Sequence, residues 1–261
     1  MTYQTILYEA TNGVAKITLN RPHTLNAFTD VMLGETLKAF KQAERDKTVR
    51  AIVLTGNGRG FSSGQDLGDT QARDADESIG DHLRHTYHKL IKQMTRLEKP
   101  IIGMINGIAA GAGCGVALAC DLRIASDKAS FMLAFSKIGL VPDSGTNWFL
   151  PRLIGYGRAY EMAITADKIP AAKALDWGLV NQVVPHNQLE EVTMAQALRF
   201  AQGATKAYGL AKRAMYKSIS MTLDAALEYE AQLQEIAGAT VDFKEGVTAF
   251  AEKRAPKYKG Y

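Results

Sequence analysis

Asp143 is the residue whose type and surroundings most directly suggest acid–base chemistry, and it lies in the segment 141–145 (VPDSG). A carboxyl group can take a proton from one carbon and return it to another, which contributes on the order of a hundredfold or more to a rate. Proline followed by aspartate and glycine is also typical of an ordinary turn. Taken alone, the segment favours a turn, and catalysis requires that other groups meet the carboxyl.

Two glycine-rich segments could supply these groups through their backbone amides. In the segment 60–66 (GFSSGQD), Gly64 lets the chain approach a ligand closely, so that the next N–H can point inward. In the segment 107–115 (GIAAGAGCG), small residues precede a predicted apolar helix, where unpaired N–H groups favour negative charge. Two such donors can hold an oxyanion, and removing one costs about 3 kcal/mol of transition-state stabilisation. The second segment fits a helix packed through small residues equally well.

The first of these segments also contains G-x-S-x-G, the pattern of a nucleophilic serine at a strand-to-helix elbow. Asp143 and His186 follow Ser62 in the order that a hydrolase triad requires. However, the predicted strand ends at Thr55 and a glycine loop intervenes, so the elbow context is absent. A serine hydrolase acting through Ser62 is therefore a distant alternative.

Composition limits the classes of partner and cofactor. The 261 residues carry a formal net charge of +4, and Lys and Arg are spread along the chain rather than concentrated, which disfavours nucleic acid as a partner. The glycine segment departs from the G-x-G-x-x-G spacing, and no acidic residue follows at the distance a dinucleotide fold requires. We therefore expect no separate cofactor.

The cysteines, Cys114 and Cys120, lie in an apolar stretch with neither metal-ligand nor disulfide spacing. We therefore expect no metal site and a reducing, cytoplasmic location. No export signal is visible at the N-terminus, and no apolar run reaches membrane-spanning length, so we expect a soluble protein without a membrane partner.

Strands alternate with helices along the chain, which predicts an α/β fold with right-handed crossovers. A hairpin is predicted over 7–19, around Asn12-Gly13. The first helix is predicted over 29–44 with Asp30 as its cap. Further predicted strands are 50–55, 100–105, 121–126, 130–131 and 179–184, and further predicted helices are 75–98, 116–120, 148–165, 170–177 and, with a break near 203–205, most of the chain after 188.

Motifs in order along nearly the whole chain resemble the crotonase superfamily. They are the segments 20–27 (NRPHTLNA), 60–66, 99–121, 139–142 (GLVP), 177–184 (WGLVNQVV) and 245–254 (EGVTAFAEKR). The resemblance implies a spiral of ββα units over residues 1–200, which binds and converts an acyl-CoA thioester. It also implies a C-terminal helical region over 201–261 that acts in trimerisation and as a lid. The expected assembly is a homotrimer or a homohexamer.

The resemblance also implies the site residues. The amides of Gln65 and Ala112 match the pair that holds the thioester oxygen, with Asp143 as the acid/base. Lys253 would lie near the nucleotide phosphates of the substrate in its own or a neighbouring subunit, although a solvated tail lysine fits the pattern as well. The other positions implied to bind substrate are Leu25, Ala27, Gly64, Asp66, Leu67, Gly111, Gly115 and Phe135.

Departures from the family pattern favour one reaction. Family hydratases use two glutamates to activate water, and the matching positions here are Gly115 and Phe135. Neither residue can titrate, and a phenylalanine would exclude water and raise the pKa of Asp143. Asp143 stands where several isomerases of the family carry their acid/base.

The segment 139–152 is most similar to the ring-epoxide isomerase subgroup. That subgroup converts 1,2-epoxyphenylacetyl-CoA into the oxepin thioester and is associated with moving a 3,4 double bond into conjugation. We therefore expect an isomerase of phenylacetate or fatty acid metabolism. A hydratase of the same family and an acyl-CoA-binding protein without catalysis are the alternatives.

Overall fold

The computed structural model describes residues 2–68 and 78–261, along which strands and helices alternate. The strands are β1 (Ile6–Thr11), β2 (Val14–Leu19), β3 (Ala51–Gly56), β4 (Gly60–Ser62), β5 (Ile101–Ile105), β6 (Ile108–Ala110), β7 (Leu122–Ser126), β8 (Ser130–Met132), β9 (Ile169–Pro170) and β10 (Gln182–Val184). The helices are α1 (Asp30–Arg45), α2 (Ile79–His85), α3 (Tyr87–Arg96), α4 (Ala112–Leu118), α5 (Thr146–Ile154), α6 (Tyr156–Thr165), α7 (Ala171–Asp176), α8 (Leu189–Ala201), α9 (Thr205–Ser218), α10 (Leu223–Gly238) and α11 (Val241–Ala251). Short 3-10 helices cover Pro22–Thr24, Ala134–Ile138 and His186–Gln188.

The strands of the described residues form two sheets, with the orders β1-β2-β3-β5-β7-β10 and β4-β6-β8-β9. The pairs β3–β4, β5–β6 and β7–β8 each place one strand in each sheet before the chain continues into helices. From β2 to β10, neighbouring strands of the larger sheet run parallel. This arrangement is a spiral of ββα units followed by helices, so the predicted fold class is confirmed.

The larger sheet is covered on both faces, and every residue of β3 is buried. Because side chains alternate along a strand, Ile52 and Leu54 join the cluster that contains Phe40 of α1, whereas Val53 packs with Ala197 of α8 on the other face. Strands buried on both faces have continuous apolar runs, which is how β3 was recognised in the sequence. The loops that leave this sheet therefore begin at strands that packing on both faces holds in place.

The predicted hairpin is confirmed as β1 and β2, which pair with Thr11 opposite Val14. Asn12 and Gly13 have φ angles of 54° and 82°. Positive φ at both central residues is the requirement of the tight hairpin turn, which Asn-Gly meets at low cost.

Several predicted helix boundaries are wrong. Helix α1 is capped by Thr29, whose Oγ1 accepts a hydrogen bond from Met32 N at 3.2 Å, and Asp30 is the first helical residue. The helix predicted over 148–165 is divided at Gly155, with φ 79° and ψ 159°, a conformation that glycine adopts readily. The helix predicted over 75–98 is divided at Thr86, and its first residues lie outside the described residues.

The C-terminal part differs in detail from the prediction. The strand expected from residue 179 begins only at Gln182, and the last helix ends at Ala251. The tail beyond it is held by side chains instead: the Asp242 carboxylate accepts hydrogen bonds from Lys259 N at 2.6 Å and Gly260 N at 2.8 Å. Helix α8 ends at Ala201, and the division into two units near residue 200 stays a prediction.

Candidate active site

The loop after β4 presents the amide of Gln65. The residues on either side of Gln65 are hydrogen-bonded to Phe28, which lies just before α1. Phe28 N donates to Gly64 O at 2.7 Å, and Asp66 N donates to Phe28 O at 2.9 Å. Among the described residues, the Gln65 N–H donates to no protein acceptor. Gly64 has a φ of 96°, and a Cβ there would lie 2.8 Å from Ala110 O, so this position requires glycine.

Residues beneath the loop hold it in place rather than lining a cavity. The buried side chain of Asn26 donates to Asn57 O and Gly60 O, both at 2.9 Å. Arg21 Nη1 bonds to Asp66 Oδ2 at 2.9 Å and to Ala27 O at 2.7 Å. Leu25 contributes its carbonyl, which accepts from Ser63 N at 2.9 Å.

Ser62 is part of the same support. Its Oγ is buried, donates to Asn26 O at 2.8 Å and accepts from Gly64 N at 3.2 Å. His186 bonds elsewhere, with Nδ1 3.0 Å from Ser126 Oγ. The serine triad considered from the sequence is therefore not assembled.

The second amide belongs to Ala112, the first residue of α4. Gly111 precedes it with a φ of 51° and a ψ of −126°, which turns the chain from β6 into the helix. The first N–H groups of a helix have no partner within the helix. A Cβ on Gly64 would lie 3.3 Å from Ala112 N, so the two glycine segments meet at this point. Ala112 N, like Gln65 N, donates to no acceptor within the described chain. Two such amides on touching segments form a site suited to an oxyanion.

Both amides border a cavity of about 280 Å³, and Asp143 lies in its wall. The predicted residues that line this cavity are Gly64, Gln65, Leu67, Gly111, Ala112, Phe135 and Asp143. The remaining predicted residues, which do not line it within the described chain, are Leu25, Ala27, Asp66, Gly115 and Lys253. Lys253 is exposed at the end of α11, with its N–H bonded to Phe250 O at 3.2 Å.

The Asp143 carboxyl is half-buried and held by its own turn. Ser144 Oγ donates to Asp143 Oδ1 at 2.7 Å, and Thr146 N donates to Asp143 O at 2.9 Å. Burial raises the pKa of Asp143, and this effect exceeds the opposing ones of the Ser144 hydrogen bond and of the His88 and His82 charges. A raised pKa suits a carboxyl that must both accept and return a proton near neutral pH.

Neither of the two positions that carry glutamates in family hydratases suits a carboxylate here. Position 115 has no room for a side chain, and position 135 holds an apolar one. A Cβ on Gly115 would lie 2.7 Å from Ser144 O and 2.8 Å from Ser144 Cβ, so the turn that carries Asp143 occupies the space of any side chain there. Gly115 is buried and is not among the residues that line the cavity, and its contact with substrate stays a prediction. Phe135 does line the cavity, so this part of the wall is apolar.

Among the cavity residues that the sequence did not predict, Tyr87 and His82 are the two with buried polar side chains. Tyr87 OH donates to Gln65 Oε1 at 2.7 Å, and His82 Nε2 lies 2.7 Å from Asp30 Oδ1. Both residues line the cavity and are buried. Their sequence signal is weak. They are polar residues in a segment whose apolar pattern predicts a helix, and no motif surrounds them.

A second cavity, of about 430 Å³, lies between α5 and α9. The partly buried Asp121 carboxylate in its wall is already paired with Lys212 at 2.9 Å and accepts a hydrogen bond from Ile101 N at 2.8 Å. Burial raises the pKa of the Cys120 thiol in its wall to about 12, so this thiol is not a nucleophile at neutral pH. Among the described residues of this wall, neither Asp121 nor Cys120 is therefore available as a catalytic group.

Other kinds of site are absent from the part of the chain that the structure describes. Within it, no cluster of three or more His, Cys, Asp and Glu side chains could hold a metal ion. No helix among residues 2–68 and 78–261 is sufficiently long and apolar to cross a membrane.

Comparisons with known proteins agree with this geometry. The family model described as Enoyl-CoA hydratase/isomerase matches residues 9–261. The 1,2-epoxyphenylacetyl-CoA isomerase of Escherichia coli (strain K12) is 40% identical over 257 residues, covering 98% of each chain. A Rhodobacter capsulatus protein named "Probable enoyl-CoA hydratase" is 44% identical over 261 residues, covering 100% of each. The crystal structure of enoyl-CoA hydratase from Bacillus anthracis gives a TM-score of 0.91 at 36% identity, covering 99% of this chain and 100% of that one. The chain therefore belongs to the enoyl-CoA hydratase/isomerase family, within the crotonase superfamily.

Proposed function

We propose that this enzyme is an acyl-CoA isomerase in which Asp143 moves a proton while the amides of Gln65 and Ala112 hold the thioester oxygen. One observation carries the proposal: the carboxyl and both unpaired amides border a single cavity. No other carboxylate borders that cavity among the described residues. Coenzyme A enters as part of the substrate, and the chemistry requires no further cofactor.

The mechanism follows from these groups. The thioester carbonyl oxygen accepts hydrogen bonds from both amides, which stabilises the negative charge that develops when the α-proton leaves. Asp143 takes this proton and the enolate forms. For a 3-enoyl substrate, the same carboxyl returns the proton to C4, and the double bond moves into conjugation with the thioester. No atom is gained or lost, so one carboxyl suffices.

An aromatic epoxide is the second substrate that this machinery fits. Loss of the α-proton from a 1,2-epoxyphenylacetyl thioester gives an extended enolate. The bond between the two epoxide carbons then breaks to give the seven-membered oxepin ring, and Asp143 returns the proton to a ring carbon, so that the product is an isomer of the substrate. The name of the Escherichia coli relative supports this substrate. The apolar wall at Phe135 suits an aromatic acyl group and excludes water from the reacting carbon.

Hydration is the second candidate, because the Rhodobacter capsulatus relative is named as a hydratase. Water addition by the two-glutamate route needs two carboxylates beside the substrate. Position 115 has no room for one, and position 135 holds a phenylalanine. We therefore place isomerisation ahead of hydration.

We also propose that the C-terminal helices form the subunit contacts of a homotrimer or homohexamer. Several large apolar side chains of α10 and α11 are exposed in the single chain, including Leu223 at 74% and Phe250 at 87%. Contiguous exposed apolar surface marks interaction sites. In such an assembly, Lys253 would approach the substrate phosphates of a neighbouring subunit. Mass photometry on the purified protein tests the oligomer directly.

The reaction is tested with the conservative variant Asp143→Asn. Isomerisation of 3-enoyl-CoA and α-proton exchange in heavy water should fall at least a hundredfold, while acyl-CoA binding persists. Glu161→Gln, at an exposed carboxyl outside the cavity, is the matched control and should retain both. Full turnover in Asp143→Asn, or crotonyl-CoA hydration faster than isomerisation in the unmodified enzyme, would reject the proposal.

A further inference from the structure

His82 is a buried titratable residue that the proposed reaction does not use. It lies in α2, is 5% exposed and borders the same cavity as Asp143. A positive charge on its ring would lower the pKa of the Asp143 carboxyl, so the two residues share one electrostatic environment. One ring nitrogen is engaged: Nε2 lies 2.7 Å from Asp30 Oδ1.

The other ring nitrogen has no protein partner among the described residues. No hydrogen bond joins His82 Nδ1 to any of them, and Nδ1 is not among their polar atoms that are sealed from solvent without a partner. The atom therefore reaches open space, and the cavity is the space that His82 borders. Because Asp30 accepts the Nε2 proton, it fixes the orientation of the ring and leaves Nδ1 to bond elsewhere.

Gln65, Lys137 and Asp143 also line the cavity, but none of the described side chains in its wall bonds His82 Nδ1. Leu83 and Ile79 come from the same helix, and Phe135 and Ile138 line the cavity as well. Tyr87 is nearby, but its hydroxyl already donates to the side chain of Gln65. A purely hydrocarbon acyl group would leave Nδ1 without a hydrogen bond, which disfavours its binding relative to an acyl group that can make one.

We infer that His82 is a substrate-binding residue whose Nδ1 hydrogen-bonds an oxygen substituent on the acyl group. The enzyme then selects oxygenated acyl thioesters over hydrocarbon ones of the same shape. This inference rests on the proposed acyl-CoA function and deepens it. A site built to bond a polar group discriminates more strongly than an apolar pocket, because the analogue without that group leaves it unpaired.

The test compares the binding of phenylacetyl-CoA with that of its 2-, 3- and 4-hydroxy derivatives by isothermal titration calorimetry. A hydroxyl can donate to a neutral imidazole and accept from a protonated one, so it probes the contact in either state. The unmodified enzyme should bind at least one hydroxy derivative about tenfold more tightly than phenylacetyl-CoA, as expected for one hydrogen bond.

Two variants separate recognition from a structural role. His82→Gln places its amide near the position of Nε2, so it can keep the contact with Asp30. It has no polar atom at the position of Nδ1, so it should abolish the preference for the hydroxy derivative. His82→Asn places its amide near Nδ1 and loses the Asp30 contact, so it should retain most of the preference. His85→Gln, on the same helix but outside the cavity wall, is the control and should behave as the unmodified enzyme.

Three results would overturn the inference. They are no preference for any hydroxy derivative in the unmodified enzyme, an undiminished preference in His82→Gln, and equal losses for hydroxylated and plain thioesters in both His82 variants. If no thioester binds the unmodified enzyme, the proposed function fails as well. If thioesters bind without preference and Asp143→Asn still abolishes proton exchange, only the inference about His82 fails.

Discussion

The crowding between Gly115 and the Asp143 turn yields a quantitative prediction for Gly115→Ala. Gly115 lies inside α4, and a Cβ there would lie 2.7 Å from Ser144 O, closer than such contacts occur in proteins. Gly34 lies inside α1 and offers a matched control, because a Cβ there meets nothing within 4 Å. Alanine is favoured over glycine within a helix by about 0.5–1 kcal/mol. Forcing atoms into a packed interior costs about 1–3 kcal/mol.

Gly34→Ala should therefore raise the free energy of unfolding by about 0.5–1 kcal/mol. Gly115→Ala has the same gain in helix propensity, but its new methyl group disrupts the packing against Ser144. Its free energy of unfolding should therefore be about 1–3 kcal/mol lower than that of Gly34→Ala. Urea denaturation of both variants measures this difference, and repeating it at two protein concentrations separates subunit dissociation from unfolding. Gly115→Ala should also slow isomerisation, because the displaced turn carries Asp143.

The reasoning is refuted if Gly115→Ala is as stable as Gly34→Ala. Residue 115 would then have room beside Ser144, and the steric argument against a hydratase glutamate at this position would be lost. A loss of stability with unchanged isomerisation would be a narrower failure. It would mean that the α4 contact stabilises the fold without fixing the position of Asp143.

Three further predictions concern the site and its support. Ser144→Ala removes a hydrogen bond that lowers the pKa of Asp143, so this pKa should rise further. Because Asp143 must be ionised to accept a proton, the acidic limb of the kcat/KM profile should move to higher pH in this variant, and a shift to lower pH would contradict the assignment. Gly64→Ala forces a side chain against Ala110 O and displaces the Gln65 amide. Its kcat for 3-enoyl-CoA should fall by about 10²–10³, with circular dichroism unchanged, whereas normal turnover would show that this amide is not used. Lys212→Met leaves the partly buried Asp121 carboxylate without its paired lysine, and it should lower the free energy of unfolding in urea denaturation by up to about 3 kcal/mol, the lower end of the loss for breaking a buried pair. Adding Asp121→Asn should recover much of that loss, and a double variant no more stable than Lys212→Met would argue against charge burial as the cause.

The local patterns of the chain identified most of the fold. The alternation in β1 and β2, the Asn-Gly turn and the continuous apolar run of β3 each follow from short-range rules, and the structure contains all three. Where the local signal is ambiguous, the prediction was wrong. An apolar period continues across Gly155 and across Thr86, but in the folded chain neither residue has helical dihedral angles.

The candidate catalytic groups also divide into those that a short segment of sequence reveals and those that only the folded chain reveals. The sequence identified Asp143 and the Gln65 and Ala112 amides as candidates, because their residue types and glycine neighbours are visible in a single segment each. The assignment of the Ala112 amide came from the family resemblance, because the residues of its segment fit a helix packed through small side chains equally well. The sequence could not show that the two glycine segments meet, since Gly64 approaches Ala112 N only after β4 and β6 have paired. It also could not choose between a nucleophilic and a structural Ser62, a choice that depends on the distant carbonyl of Asn26.

Sequence alone therefore determined which groups could do chemistry, and the tertiary structure decided which of them share a cavity. The exclusion of side chains at position 115 depends on the turn at Ser144, and the cavity position of His82 depends on how α2 packs near Asp30. These are contacts between parts of the chain that are distant in sequence. Neither propensity nor periodicity encodes such contacts, because both describe only the conformation of residues that are neighbours along the backbone.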